Sequence, residues 1–310
     1  MQMKRVKILA GTYTAGKSEG IYEFFLEDGK LKDPSLFCKI ESSKYICKYE
    51  DTILSICDFE NGSGLSLIDK KGVILDSLCF EKPSSCYVGV HGGKIYMANY
   101  HAGTVSLLKV EDGKLKLVKT VLIKDKAGCH MVLFHEDKVL VPCLFLDKIV
   151  VFDEGLNKVN EICFPKGSGP RHGVFTRDHS RLYLVSELSN ELFVIDMKDL
   201  TIIKQIGLLE NGETNTTGTA AVRLSDDEKY LYVSTRGKNV LSVIDLEEIA
   251  LLQNINCGGD HPRDFILCGE YLLCANRFSD EVVCFKIGKD GRITEESDRI
   301  RIPEAVCLIA

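Results

Sequence analysis

The chain has 310 residues, of which 45% are hydrophobic, and its formal net charge is −6. Because the sequence holds no dense block of lysine and arginine, we expect neither nucleic acid nor an anionic membrane surface as a partner. No apolar run approaches the roughly 18 residues of a membrane-spanning helix, and the N-terminal residues lack the apolar segment of a secretory signal, so we expect a cytoplasmic protein.

Short apolar strands alternate with turns rich in Gly, Asp, Asn and Lys along the whole chain. The segments 6–14, 20–26 and 39–40 come first and are predicted strands. A unit of four strands then repeats six times between residues 44 and 302, and residues 303–310 resemble one more opening strand. The best candidate for a helix is the short segment 245–252.

Aligning the opening strands of the units places seven residues at equivalent positions: Lys44, Cys86, His130, Arg171, Ala220, Arg263 and Glu304. Their successive spacings are 42, 44, 41, 49, 43 and 41 residues, and the long interval contains the polar segment 210–219. Four strands in roughly 40–50 residues are typical of a β-propeller blade, which needs neighbours to cover both faces of its sheet.

We therefore predict an all-β, seven-bladed β-propeller with four antiparallel strands per blade and a single domain over residues 1–310. The C-terminal strand would complete a seventh blade with the three N-terminal strands, which leaves no open edge in the ring. A β-sandwich would not need a seven-fold repeat, and an α/β fold would need helices that the pattern does not contain.

Opening strands line the central channel of a propeller, and second strands end in loops on the same face, so both sets of residues should meet at one mouth. The candidate site residues at this mouth are all polar or charged: His130, Arg171, Glu187, Arg236, Arg263, Arg277, Asn99 and His172. Arginine binds carboxylate or phosphate through two parallel donors. Histidine and glutamate can transfer protons near neutral pH.

Each candidate also has a structural interpretation. Arg171 and Arg263 follow prolines and could tie loops through carbonyl groups, and Glu187 could form an ion pair that serves only the fold. His130 could be a hydrogen-bonded channel histidine, and His172 could bond within its blade. The serines lack the strained turn of a serine hydrolase, and no G-x-G-x-x-G motif opens a helix, so we expect no nucleotide cofactor.

The 13 cysteines lie mostly in apolar strand-like runs, as Cys38, Cys57, Cys79, Cys274 and Cys284 do. This placement is typical of small buried hydrophobic residues in a reducing compartment. There is no C-x-x-C pair, and no histidine flanks the cysteines at zinc spacing, so we expect no metal and no redox role.

Several motifs together resemble the seven-bladed propeller lactonases over essentially the whole chain. They are Gly11-Thr-Tyr-Thr14, Ala98-Asn-Tyr-His-Ala-Gly103, Gly128-Cys-His130, Gly169-Pro-Arg-His172, Ser186-Glu-Leu188, Ala220-Ala-Val-Arg-Leu-Ser225 and His261-Pro-Arg263. That family includes 6-phosphogluconolactonase and carboxymuconate lactonising enzymes. The resemblance implies a catalytic set of His130, Arg171, Glu187 and Arg236, with Arg277 as a cation where the family has glutamine.

We expect a hydrolase that opens a sugar lactone, with 6-phospho-glucono-1,5-lactone as the first candidate substrate. The arginines would bind the phosphate and polarise the lactone carbonyl, while Glu187 or His130 would activate water, without a metal or other cofactor. One alternative is an intramolecular lyase that closes a lactone on a muconate, and another is a non-catalytic propeller that binds a metabolite or a protein. The expected partner is a small anionic lactone, phosphorylated or carboxylated, and the expected state is a monomer or weak homo-oligomer.

Overall fold

A computed structural model describes residues 5–210 and 218–310 of the chain. In chain order, the strands of its first half are β1 Val6–Thr12, β2 Gly20–Glu27, β3 Lys30–Lys39, β4 Ile46–Tyr49, β5 Thr52–Phe59, β6 Gly62–Ile68, β7 Ile74–Glu81, β8 Tyr87–His91, β9 Lys94–Asn99, β10 Thr104–Glu111, β11 Lys114–Leu122, β12 Leu133–His135, β13 Lys138–Cys143, β14 Lys148–Asp153 and β15 Lys158–Cys163. Those of its second half are β16 Pro170–Phe175, β17 Arg181–Ser186, β18 Glu191–Asp196, β19 Thr201–Gly207, β20 Thr219–Leu224, β21 Tyr230–Thr235, β22 Val240–Asp245, β23 Ala250–Asn256, β24 Pro262–Cys268, β25 Tyr271–Asn276, β26 Glu281–Ile287, β27 Ile293–Arg301 and β28 Ala305–Ile309.

These strands form seven antiparallel sheets of four strands each, which confirms the predicted propeller. Blades 1 to 6 take consecutive strands from β4 to β27, and blade 7 has the order β28-β1-β2-β3. The predicted closure is also confirmed, because Leu9 of β1 pairs with Ile309 of β28. Strand β28 contacts the innermost strands β24 and β4 on either side, so blade 7 completes the ring.

The hydrophobic core is divided into seven clusters, and each lies between two neighbouring blades. Between blades 4 and 5, for example, Val185 and Leu192 pack against Val222 and Leu231. Middle strands such as β17 are therefore buried on both faces, and their sequences are continuous apolar runs. The outermost strand of the same blade, β19, is largely exposed. Burying each such aliphatic side chain contributes about 1.5–3 kcal/mol.

Two local predictions were wrong. Residues 245–252 form a hairpin instead of a helix, because the Asp245 carboxylate accepts a hydrogen bond from the backbone N–H of Glu247 at 2.9 Å. Ile249 then takes a left-handed conformation (φ 49°), and Ala250 pairs with Asp245 across the turn. Cys79 is exposed on the outermost strand of blade 1, whereas Cys38, on the outermost strand of blade 7, packs into a core cluster together with Cys57.

One short 3₁₀ turn, Leu144–Leu146, lies between β13 and β14. No helix in the described part of the chain is long and apolar enough to cross a membrane.

Candidate active site

The starts of the opening strands and the ends of the second strands meet at one end of the channel, which we call the charged mouth. Pro170 at the start of β16 pairs with Ser186 at the end of β17, and Pro262 pairs with Asn276 in the same way in blade 6. Thr219 pairs with Thr235 in blade 5. The predicted meeting of these two sets of residues is therefore confirmed.

Arg171 and Arg263 occupy equivalent irregularities in their strands. The pairing of β16 with β17 passes from Pro170 directly to His172, and that of β24 with β25 passes from Pro262 directly to Asp264. Each arginine is thus the extra residue of a β-bulge, a device that redirects a side chain out of the regular alternation of a strand.

Glu187 joins two arginines from different blades. Its Oε2 atom lies 2.7 Å from Nε of Arg171 and 2.9 Å from Nη2 of Arg236. Arg171 also donates from Nη1 to the carbonyl of Ala220, and Nε of Arg236 donates to the carbonyl of Gly218 at 3.2 Å. Both guanidinium groups are held in fixed positions by charge-assisted hydrogen bonds.

The charges in this group remain in place at neutral pH. Burial opposes ionisation of Glu187, but the charges of Arg171 and Arg236 outweigh burial, and the net effect lowers the pKa of its carboxyl. Burial lowers the pKa of Arg171 to about 10, although Glu187 opposes this shift. Glu187 is therefore an ionised and weakly basic carboxylate between two cations.

His130 and His172 form a buried pair across blades 3 and 4. Nε2 of His172 lies 3.2 Å from Nδ1 of His130, and the two rings meet edge to face. Burial, followed by the charges of Arg171 and Arg263, holds the pKa of His130 well below the usual value. Burial and Arg171 lower the pKa of His172 in the same direction, so both imidazoles are neutral at pH 7.

Arg263 and Arg277 lie on the blade 6 side of the mouth, and both pack on the ring of Tyr13. Their guanidinium carbons are 5.4 and 4.0 Å from the centre of that ring. Neither arginine has an ion-pair partner among residues 5–210 and 218–310. Lys44 lines the same cavity and donates to the hydroxyl of Ser84. Lys44 is one of the aligned opening-strand residues and Tyr13 is part of the Gly11–Thr14 motif, but neither was predicted as a site residue.

Two predicted binding residues have hydrogen-bond partners within the protein. The Asn99 side chain is buried: its amide nitrogen donates at 3.0 Å to the carboxylate of Glu81 in the neighbouring blade 1, and its oxygen accepts from the N–H of Ala102. His172 lines the mouth cavity beside His130 and contacts it through Nε2, as described above. Substrate contact by Asn99 or His172 stays a prediction, and the structure gives each of them a role within the fold.

The space enclosed at the charged mouth is small, about 20 Å³, because rings and guanidinium groups fill it. A larger cavity, of about 730 Å³, opens at the other end of the channel and contains none of the eight predicted site residues. We locate the candidate active site at the charged mouth by its chemistry, because His130, Glu187 and several arginines converge there. No group of three or more His, Cys, Asp or Glu residues there is placed to hold a metal ion.

The fold is a seven-bladed β-propeller, and histidines, arginines and a glutamate gather at one end of its channel. Comparison with known proteins agrees: residues 7–310 match the family described as lactonase, 7-bladed β-propeller, and the chain belongs to that family. As a member it is a lactonase, a hydrolase of cyclic esters.

Three similar proteins illustrate this relationship. The 6-phosphogluconolactonase of Bacillus subtilis (strain 168) is 28% identical, with 96% of each chain covered. A crystal structure of a Lactobacillus plantarum protein superposes with a TM-score of 0.90 at 27% identity, covering 98% of this chain and 99% of the other. The periplasmic gluconolactonase of Pseudomonas aeruginosa has the same fold, with a TM-score of 0.89, 23% identity and 99% of each chain covered.

Proposed function

We propose that the chain hydrolyses a phosphorylated sugar lactone, 6-phospho-glucono-1,5-lactone, at the charged mouth and that it does so in the cytoplasm. The observation that carries this proposal is the surplus of positive charge: Lys44, Arg171, Arg236, Arg263 and Arg277 lie at the mouth, where Glu187 bridges Arg171 and Arg236 and Asp264 is paired with Arg223. A substrate that bears a phosphate dianion and develops an oxyanion suits such a surplus of fixed cations.

The arginines divide into two pairs with different surroundings. Arg171 and Arg236 are fixed by Glu187 and suit the lactone carbonyl, where negative charge develops during attack. Arg263 and Arg277 have no carboxylate partner in the described residues and suit the phosphate. Because the enclosed space is small, the lactone would lie across the mouth above the guanidinium groups.

We assign the activation of water to His130. A neutral imidazole can accept a proton, whereas the Glu187 carboxylate is made less basic by its two arginines. If Nδ1 of His130 donates to Nε2 of His172, the Nε2 atom of His130 is free to accept a proton from water. The resulting hydroxide equivalent attacks the lactone carbonyl carbon and forms a tetrahedral oxyanion.

Collapse of that intermediate breaks the bond between the carbonyl carbon and the ring oxygen. His130 returns its proton to the departing ring oxygen, which becomes a hydroxyl group. The new carboxylic acid releases a proton to solvent, so one lactone and one water give one hydroxy-carboxylate and one proton. Because lactones hydrolyse without a catalyst, the barrier reduction that the site must supply is modest.

An initial-rate assay on three substrates tests the proposal. Freshly prepared 6-phospho-glucono-1,5-lactone, glucono-1,5-lactone and 3-carboxy-cis,cis-muconate are each mixed with the protein, and proton release or muconate absorbance is followed above the uncatalysed rate. We expect the phosphorylated lactone to have the highest kcat/KM. Turnover of the muconate alone would instead establish an intramolecular lyase, and no turnover of any substrate would favour a binding protein.

A further inference from the structure

The cavity at the end of the channel opposite the charged mouth, which we call the distal cavity, is lined by the later residues of the opening strands. Its volume of about 730 Å³ lies within the range of roughly 300–1,000 Å³ that is typical of small-molecule sites. The rings of Tyr45 and Tyr87 pack at its inner end with centroids 4.3 Å apart, and Tyr87 meets His172 edge to face. The distal cavity is therefore a separate space, closed off from the charged mouth by these side chains.

Arg223 supplies the cavity with a half-buried guanidinium that the proposed reaction does not use. Its Nη2 atom lies 2.6 Å from Oδ1 of Asp264, and Nη1 donates to the carbonyl of Val222 at 2.9 Å. Within the described part of the chain, these two hydrogen bonds use two of the five N–H groups of the Arg223 guanidinium. The side chain is 29% exposed, and it lines the cavity.

The charges around the distal cavity favour an anion. Asp264 is almost fully buried, its other oxygen accepts from the N–H of Leu308, and it lines the charged mouth and not the distal cavity. Lys48 lines the cavity and has no ion-pair partner among the described residues. Glu136, the acidic residue of the lining, lies 3.9 Å from Nζ of Lys138.

The walls are largely apolar and aromatic. Met131, Phe134, Phe175 and Leu308 line the cavity, and the exposed face of Val90 borders its opening. An apolar chamber with one guanidinium fork matches a ligand that has an apolar body and a single planar anionic group. A sugar phosphate, which is polar on every side, does not fit these walls.

We propose that the distal cavity binds a small carboxylate with an apolar body, with the carboxylate on the guanidinium of Arg223. The site is distinct from the proposed lactonase site, because the two share no arginine and face opposite ends of the channel. It does not depend on the proposed reaction, and binding alone tests it.

The probes are benzoate, phenylacetate and 4-phenylbutyrate, each compared with its primary amide, and binding is titrated by ligand-observed NMR on the full chain. We expect the best carboxylate to bind about tenfold more tightly than its amide. Arg223→Lys keeps a cation against Asp264 but loses the fork, so it should abolish most of that preference. Val90→Phe narrows the opening and should weaken all six probes.

Arg177→Lys is the matched control, because this exposed arginine only caps the carbonyl of Asp226, and it should bind like the native chain. Thermal unfolding establishes that each variant is folded. The proposal is overturned if carboxylates and amides bind alike, or if nothing binds up to about 10 mM. It is equally overturned if Arg263→Gln removes binding while Arg223→Lys and Val90→Phe do not, because the probes then occupy the charged mouth.

Discussion

Replacing Glu187 with glutamine separates the two roles that a carboxylate can have at the charged mouth. Glutamine keeps the volume and one acceptor oxygen but removes the charge that lies 2.7 Å from Arg171 and 2.9 Å from Arg236. Both guanidinium groups are almost completely buried, so the substitution leaves two neighbouring cations without their counter-charge.

The expected loss of stability follows from this arrangement. Removing one partner of a buried ion pair costs about 3–5 kcal/mol, and we expect about 3 kcal/mol here, because the Glu187 side chain is 17% exposed and glutamine keeps an acceptor. Unfolding entropy of about 2.1 cal/mol/K per residue over 310 residues converts this loss to a decrease in Tm of about 5 °C. Inorganic phosphate should raise the Tm of Glu187→Gln more than it raises the Tm of the native chain, because phosphate replaces the missing negative charge.

The effect on the rate distinguishes the base. If Glu187 only holds the arginines, Glu187→Gln lowers kcat by about tenfold, whereas His130→Gln removes the base and lowers kcat by about 10²–10⁴-fold. Initial rates of lactone hydrolysis and thermal unfolding, measured on the same preparations, give both quantities. A loss larger for Glu187→Gln than for His130→Gln, together with an unchanged Tm, would refute this assignment and make Glu187 the base.

Four further predictions concern the same site. Arg263→Gln and Arg277→Gln should each raise KM for the phosphorylated lactone by about tenfold and leave glucono-1,5-lactone unaffected, because each loses one charge-assisted contact to phosphate; equal effects on both substrates would contradict a phosphate site there. In pH profiles, kcat/KM should rise with pH, because the neutral form of His130 is the base, and its inflection should lie well below the usual histidine pKa. The inflection in kcat should lie at higher pH, because bound phosphate offsets the charges of the arginines that lower the pKa of His130. His172→Leu should lower kcat about tenfold at constant KM, and His172→Gln, which still accepts from His130, should retain most activity. Gly218→Ala should lower both activity and Tm, because the glycine has φ of +75° and an added Cβ would lie 1.9 Å from the carbonyl oxygen of Glu187; an unchanged rate would show that this contact does not position Glu187.

The repeat in the sequence was sufficient to predict the ring, its closure and the end of the channel at which the charged residues meet. These features depend on the spacing of apolar strands, which every blade must respect in order to bury its faces. The fine geometry depends on contacts between blades that spacing does not encode. The pairing of His130 with His172 and the contact of Asn99 with Glu81 are of this kind, and the bulge that redirects Arg171 is an irregularity within blade 4 that spacing does not encode either.

Arg223 is a further residue whose position the sequence pattern did not predict. The sequence analysis named the motif that contains Arg223, but it did not place this residue at the far end of the channel. That place follows from the direction of β20: Ala220 lies near the start of the strand, and Arg223 lies in its second half. A side chain three residues further along an opening strand is about 10 Å closer to the opposite end. Position along the strand therefore separates residues that one motif places side by side.

Five cations at one mouth repel one another, and neighbouring groups in the propeller offset that repulsion. Arg171 and Arg236 share the charge of Glu187, Arg263 and Arg277 lie against the electron-rich ring of Tyr13, and Lys44 is held by a hydroxyl group. Because the cations are carried by four different blades, little reorganisation is needed when an anion arrives. The positive potential that opposes folding is the same potential that a dianionic lactone would relieve, so substrate affinity and the stability of the free protein should vary in opposite directions at this mouth.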